Sequence, residues 1–265
     1  MLTQLPSSLG VSLRTKMAFR MNFIVLVFSL PIKIAVTWLL WDFVVGSQSE
    51  LMGLSKSQIL LFVAFSAFLQ FLYNTSEVLM KMEQDLIQGG AVVSFTLPID
   101  YHIKEIFEGW GNFLLYFSTG ILTLLGMILL MGIPVPISIT KILLLLVLII
   151  LNTILQYLFV SVLAAFAVLV GKVGAFGHSL LNMLLFFGGG VLPLALFPAV
   201  IRGVLLFNPL SSMIDFPASV LISGELQVAE VVYRLAVLVG WIVVLFFSNR
   251  RIWEVSRDRF SAPGE

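Results

Sequence analysis

Two cations lie inside long apolar runs of this sequence: Lys33, in FIVLVFSLPIKIAVTWLLW, and Arg234, in VVYRLAVLVGWIVV. A charge so placed is costly unless something holds it, so ionisable residues in such runs point to function or to a structural partner. Lys33 follows Pro31, whose missing N–H frees a carbonyl one turn earlier. Its ammonium can cap such a carbonyl, reach a polar helix interface, or face a substrate path. Arg234 sits near the start of its run and can snorkel outward to water. Asp42 stands near the outer end of the first run, and Asp215 in a later outer segment. Acids inside the runs are otherwise missing. Ion-coupled carriers and pumps usually need Asp, Glu or His there to bind the coupling ion, so the energy for any transport is expected to come from elsewhere.

Other chemistry is absent by composition. The chain has no cysteine and two histidines, His102 and His178. Thiolate nucleophiles, disulfides and thiolate metal sites are excluded. Gly171-Lys172 is followed by Val173, and Phe166 stands five residues before Gly171, so there is no phosphate loop and no ATP hydrolysis by this chain alone. No H-E-x-x-H or G-x-S-x-G occurs. Polar residues within the runs, Ser66, Asn152, Ser161 and Asn182, are of the kind that joins membrane helices; Asn182, with Lys33, is a candidate for lining a translocation path.

The elements that position these residues are membrane spans. Of the 265 residues, 60% are hydrophobic and 11% charged, with a mean hydropathy of +1.08. A soluble fold of this size could not hide that surface, so the fold class is an all-α polytopic membrane protein. Six segments are long enough to cross: Asn22–Val45, Gln58–Glu77, Phe113–Met131, Lys141–Val170, Ser179–Ile201 and Ala229–Phe247. Six crossings put both termini on one side. Arg14, Lys16, Arg20, Lys81, Lys104, Lys172, Arg250, Arg251, Arg257 and Arg259 then share that side, against Lys56, Lys141 and Arg202 opposite. The basic excess makes the shared side cytoplasmic, in the cell membrane. Asn74-Thr75-Ser76 reads as a glycosylation sequon, but at the cytoplasmic end of the second span it is taken as chance. Residues 1–21, with Leu2, Leu5, Leu9, Val11 and Leu13, read as an interfacial helix and not as a cleaved leader. Residues 249–265 form a cytoplasmic tail.

Two segments break the pattern. The cytoplasmic stretch 78–112 should continue helically to Gln88, stop at Gly89-Gly90, run extended to Leu97, turn at Pro98-Ile99-Asp100, and restart as a separate amphipathic helix from about Tyr101 to Trp110, with Asp100 as its cap. Its apolar, proline-fixed FTLPIDY cluster suits docking. The outer stretch 186–225 opens with Gly188-Gly189-Gly190, followed by Pro193 and Pro198. A broken helix survives in a bilayer only where protein or a wet cavity satisfies its backbone. The fifth span is therefore expected to break here and continue as short re-entrant helices. The alternative is a close-packed small-residue contact.

Two of these stretches, DLIQGGAVVSFTLPIDYHI (Asp85–Ile103) and FFGGGVLPLALFPAVIRGVLLFNPLSSMIDFPASVLISGE (Phe186–Glu225), resemble the six-span permeases of the type-2 ABC exporter class, and span number and order extend the likeness over most of the chain. Two departures stand out: Thr96-Leu97 where relatives often carry a basic residue, and Asn208-Pro209-Leu210 where they often have Pro-Phe. The resemblance implies a non-catalytic permease subunit paired with a second permease, identical or related with a heterodimer favoured, above two ABC ATPase subunits. No cofactor is bound directly; ATP and Mg act through the ATPases. It implies that residues 1–21 are an elbow helix and that the loop between spans two and three is a coupling helix, with Phe95, Leu97, Pro98, Ile99 and Tyr101 contacting the ATPase. It also implies that the broken fifth span closes the exit, with Gly188, Gly189, Gly190, Pro193, Phe197 and Pro198 as outer bend. The cargo would be exported, and the 23 phenylalanines suit an apolar or amphiphilic one, though most must face lipid or pack helices. An ion-coupled transporter or channel, or a non-transporting scaffold, is the alternative.

Overall fold

A computed structural model describes residues 20–46, 50–51, 53–87, 101–170 and 174–260. The expected elbow helix and most of the cytoplasmic docking stretch lie outside the described residues. Helix α1 runs Arg20–Val45 with Pro31 inside it. A two-stranded antiparallel turn follows, β1 (Glu50–Leu51) and β2 (Leu54–Ser55), with Glu50 opposite Ser55. Ser55 then caps α2 (Lys56–Tyr73). Its hydroxyl accepts from the Gln58 N–H at 3.3 Å, and the Gln58 side chain accepts from the Ser55 N–H at 2.9 Å. This reciprocal box satisfies two donors that a helix start otherwise leaves open.

The second span, expected to be one helix over Gln58–Glu77, is broken. Asn74 adopts a left-handed conformation, φ 40 and ψ 46, and α3 (Thr75–Ile87) restarts beyond it. Asparagine tolerates this region better than other residues with a Cβ. The third span is longer than expected. Helix α4 runs unbroken over Tyr101–Met131, so the separate amphipathic helix of the sequence reading is the first part of the span itself. Gly109 and Gly111 are isolated, and a single helical glycine weakens a helix by only about 1 kcal/mol, too little to stop one of this length. Helix α5 covers Ile139–Val170, 32 residues. At 1.5 Å per residue that is about 48 Å, against a hydrocarbon core of about 30 Å, so it tilts or projects.

Beyond α5 the regularity ends. Helix α6 (Gly174–Leu185) passes into a wide π turn at Phe186–Gly190. A 3₁₀ turn at Leu194–Leu196 follows, then the short helices α7 (Ala199–Leu205), α8 (Pro209–Met213) and α9 (Asp215–Ile222). Helix α10, Val228–Phe260, completes the described chain. Five described helical segments are long and apolar enough to cross a membrane. The count reaches six only if α7 and the α8–α9 unit, bent by 85°, are taken as one span. The fifth span expected over Ser179–Ile201 is therefore not one helix, because the π turn and the 3₁₀ turn separate α6 from α7.

Helix α2 is the hub. The most apolar stretch of α2 and its continuation is 78% buried, against 17% to 33% for α1, α4, α5 and α10. It packs against α1, α4 and α9, while α5 packs against α3, α9 and α10. Phe62, Phe68, Leu61 and Leu69 of α2 are fully buried. Gly120 of α4 lets that helix close on α2, because a Cβ there would stand 2.9 Å from the Phe68 ring. The outward faces of the other helices carry exposed apolar side chains such as Phe28, Leu122, Leu129, Leu143 and Phe247. Exposure of this kind suits hydrocarbon, where apolar surface carries no hydration penalty.

Candidate functional site

The bend after α6 is assembled from three buried glycines. Gly189 has φ +91, which side chains with a Cβ rarely adopt. A Cβ on Gly188 would stand 2.9 Å from the Leu210 carbonyl carbon, and one on Gly189 would stand 2.6 Å from the Asp215 Cβ. The sequence reading set a break against a close helix contact. The structure has both, because α8 and α9 press directly onto the broken segment.

The freed backbone groups find partners. The Gln70 amide nitrogen donates to the Gly190 carbonyl at 2.5 Å, and the Trp41 indole N–H to the Val191 carbonyl at 3.2 Å. The Leu194 N–H donates to an Asp215 oxygen at 2.9 Å. Asn208 donates to the Leu184 carbonyl at 2.9 Å, and its own oxygen accepts from the Leu210 N–H at 3.0 Å. Each such group left bare in lipid costs several kcal/mol, so these side chains are what permits glycines and prolines at this depth. The α8–α9 unit is fastened as well. Gln58 donates to the Ile222 carbonyl at 3.1 Å, Asn152 of α5 to the Ser212 carbonyl at 2.9 Å, and Trp241 of α10 to the Phe207 carbonyl at 2.6 Å. Lys141 donates to the Pro136 carbonyl at 2.7 Å and also to the Ser223 carbonyl.

Arg234 does not snorkel. Its side chain is buried and pairs with Asp215 at 2.5 Å, lying 4.7 Å from the centre of the Phe216 ring. The Ser219 hydroxyl donates to the same carboxylate at 3.2 Å. Glu230 lies 4.0 Å from Arg234 and 3.9 Å from Arg202. Sequence reasoning missed this pair because its two halves reach one another only after the chain breaks and α9 folds back beside α10. An acid and a base flanking the bend were visible, but not their contact.

Lys33 reaches across to α2, where its ammonium donates to the Gln70 oxygen at 3.0 Å. Of the roles expected for it, this is the polar helix interface and not a capped carbonyl. One glutamine thus joins Lys33 to the bend. Pro193 is buried before the 3₁₀ turn, Phe197 follows that turn half-buried, and Pro198 opens α7 at the surface. Asn182 is exposed on α6, away from the bonds just described. Of the expected docking residues, Phe95, Leu97, Pro98 and Ile99 lie outside the described residues, and Tyr101 is the first residue of α4.

A second polar cluster sits at the α2–α3 break. Asn74 bonds to Glu77 and donates to the Tyr116 hydroxyl at 2.8 Å, and that hydroxyl donates to Glu77 at 2.7 Å. Gln156 of α5 donates to the Tyr73 carbonyl. The signal was present: Asn74-Thr75-Ser76-Glu77 has the asparagine and the glutamate three residues later that mark a helix start. Hydrophobic continuity hid it.

Residues 32–264 match the family model described as ABC-2 family transporter protein. The chain belongs to the ABC-2 transporter family. No curated protein matches it. As an ABC-2 permease it is a multi-pass membrane transport component, and membership implies ABC ATPase partners. The broken span, the α8–α9 unit folded against it and the α3–α4 connection are thus parts of an ABC-2 permease.

Proposed function

We propose that this ABC-2 permease is the membrane subunit of an ATP-driven exporter of an amphiphilic cargo, in the cell membrane with both termini cytoplasmic. Two ABC ATPases dock beneath the segment 94–103, where Phe95, Leu97, Pro98, Ile99 and Tyr101 receive their movement. A second permease chain, preferably a related and not identical one, completes the path. The Gly188–Pro198 bend with its α7–α9 cover closes the outer end, and Lys33 and Asn182 belong to the path. The chain itself catalyses nothing, and ATP and Mg act on the ATPases.

The observation that carries this reading is the broken span held beneath α8–α9 by side chains of α1, α2, α5 and α10. Side chains of α1 and α2 hold the broken segment, and side chains of α2, α5 and α10 hold the α8–α9 unit over it. Movement of those helices reaches it directly. The ion-coupled alternative needs a carboxylate free to load and unload. Asp215, the buried acid at the bend, is instead occupied by Arg234, Ser219 and the Leu194 N–H.

Purification of a tagged chain in mild detergent, with mass spectrometry of what accompanies it, tests the assembly. A stoichiometric ATPase and a second six-span chain are expected. A chain that stays alone after crosslinking in the cell removes the exporter reading. Leu97→Asp should leave the complex assembled while uncoupling ATP hydrolysis from export; wild-type coupling in that variant would remove the docking assignment.

A further inference from the structure

Three cations in and near the described spans stand beside carboxylates, and a fourth is held by backbone carbonyls. Lys56 pairs with Asp42 at 2.7 Å, Arg234 with Asp215 at 2.5 Å, and Arg202 with Glu230 at 3.9 Å. Lys141 is received by two backbone carbonyls. Lys33 stands within the apolar span Val27–Val45 of α1. Its described side-chain partner is one neutral amide oxygen, that of Gln70, and no carboxylate among the described residues pairs with it. An ammonium has three donors, so two remain for another group. Lys33 is also exposed on the surface of the chain, with Phe28, Ile32 and Val36 exposed beside it on the same helix.

We propose that Lys33 binds the anionic headgroup of the amphiphile that this permease moves, and that Gln70 passes its occupancy to the bend. The apolar side chains around Lys33 suit the tail of such a molecule, and the bare ammonium suits its charge. A cation in a low-dielectric setting attracts an anion far more strongly than it does a neutral amide. A bound anion therefore takes the two open donors and pulls the ammonium toward itself, weakening its bond to the Gln70 oxygen. That glutamine holds the Gly190 carbonyl through its nitrogen at 2.5 Å, and Gly190 closes the π turn. Release of one end of the amide loosens the other, so an occupied site favours opening of the bend. The word cargo rests on the export reading; anion binding does not, and is measured without transport.

The test is equilibrium dialysis of radiolabelled octyl phosphate against the purified complex in phosphatidylcholine nanodiscs, with empty discs subtracted. Wild type should bind it saturably, and octyl glucoside and octyltrimethylammonium should not compete. Lys33→Gln keeps a hydrogen bond to Gln70 but removes the charge, and should weaken binding about tenfold or more, while Lys33→Arg should stay within about threefold of wild type. Equal affinity in Lys33→Gln, or competition by octyl glucoside in wild type, overturns the proposal; the second comparison needs no variant to fold. Binding that survives in Lys33→Gln while the permease pair separates on size exclusion means that a carboxylate of the second subunit answers Lys33, and also overturns it. Competition by phosphatidylglycerol added to the discs would assign the site to a membrane lipid and not to cargo. Hydrogen exchange over Phe186–Val191 should rise with octyl phosphate in wild type and not in Lys33→Gln. Unchanged exchange in wild type removes the link to the bend. Absence of ATP-driven export by the wild-type complex, with binding intact, would count against the exporter reading alone.

Discussion

At the scale of single residues, the bend makes sharp distinctions between glycines. Gly189→Ala must place a Cβ 2.6 Å from that of Asp215 at a φ of +91. Overpacking of this kind costs about 1–3 kcal/mol, and the left-handed backbone adds roughly 1–2 more. Gly203 in α7 has open space around it, so Gly203→Ala should be neutral or stabilising by up to about 1 kcal/mol. Heating in detergent followed by size exclusion reads the difference, and equal loss in both variants would deny the close contact. The Asp215–Arg234 pair makes the second residue-scale prediction. Removing one partner leaves a buried charge without its counter-ion, so Asp215→Leu or Arg234→Met should each cost about 3–5 kcal/mol. The double variant should cost less than the sum of the two, because the singles share one interaction. Additive losses in the same heating assay would mean that the two residues act separately. Neither distinction was legible in the sequence beyond the residue types. Three glycines announced a break, but which carbon each must avoid depends on α8 and α9 folding back.

At the scale of elements, the α2–α3 junction is the finding that hydropathy concealed. The run Gln58–Glu77 is apolar enough to cross, and pattern alone made it one helix. The break rests on a single residue in an uncommon conformation, bonded to Glu77 and Tyr116, while Gln156 donates to the carbonyl of Tyr73 just before it. The sequence showed hydrophobic period and length well, and these recovered α1 and α5 closely and the start of α10, whose helix runs on past Phe247 to Phe260 through part of the expected tail. It showed poorly where a helix ends without proline or paired glycine, so the break at Asn74 was missed and a break before Phe113 was inferred where α4 is continuous. Tyr116→Phe removes the hydroxyl that accepts from Asn74 and donates to Glu77. The two polar groups left behind should cost about 1–3 kcal/mol. Amide exchange in α3 should rise while that in the buried α2 stays slow. Asn74→Gly keeps the left-handed backbone accessible and should disturb exchange less than Asn74→Val, whose branched Cβ disfavours it. Equal behaviour of the two Asn74 variants would place the importance of that residue in its side chain alone.

At the scale of the whole molecule, the open matter is how many times the chain crosses. Five helical segments suffice by length, and a sixth is counted only if α7 and the α8–α9 unit form one span. The stretch Gly174–Gly190 is about 25 Å long at helical rise, slightly short of the hydrocarbon core. The side chains of Gln70 and Trp41 meet its upper end, and Trp41 stands near the end of α1 opposite Arg20. The bend therefore lies in the outer half of the bundle if the Arg20 end of α1 is cytoplasmic, and the short helices above it complete the crossing without a continuous rod. The absence of cysteine makes this testable without a background. Single cysteines at Ile137 and Gln227, which precede α5 and α10, should react in intact cells with a maleimide that cannot cross membranes. Cysteines at Gln84 and Ser256 should react only after permeabilisation. Labelling of Ile137→Cys but not Gln227→Cys in intact cells, with Ser256→Cys exposed, would mean that α6 and the bend return to the side they came from. The α7–α9 cover would then lie on the cytoplasmic side, and a lid over the exit could not be built from it. Labelling on the expected sides places the Arg250-Arg251 end of α10 on the same side of the membrane as the α3–α4 connection, the side from which a docked ATPase would approach.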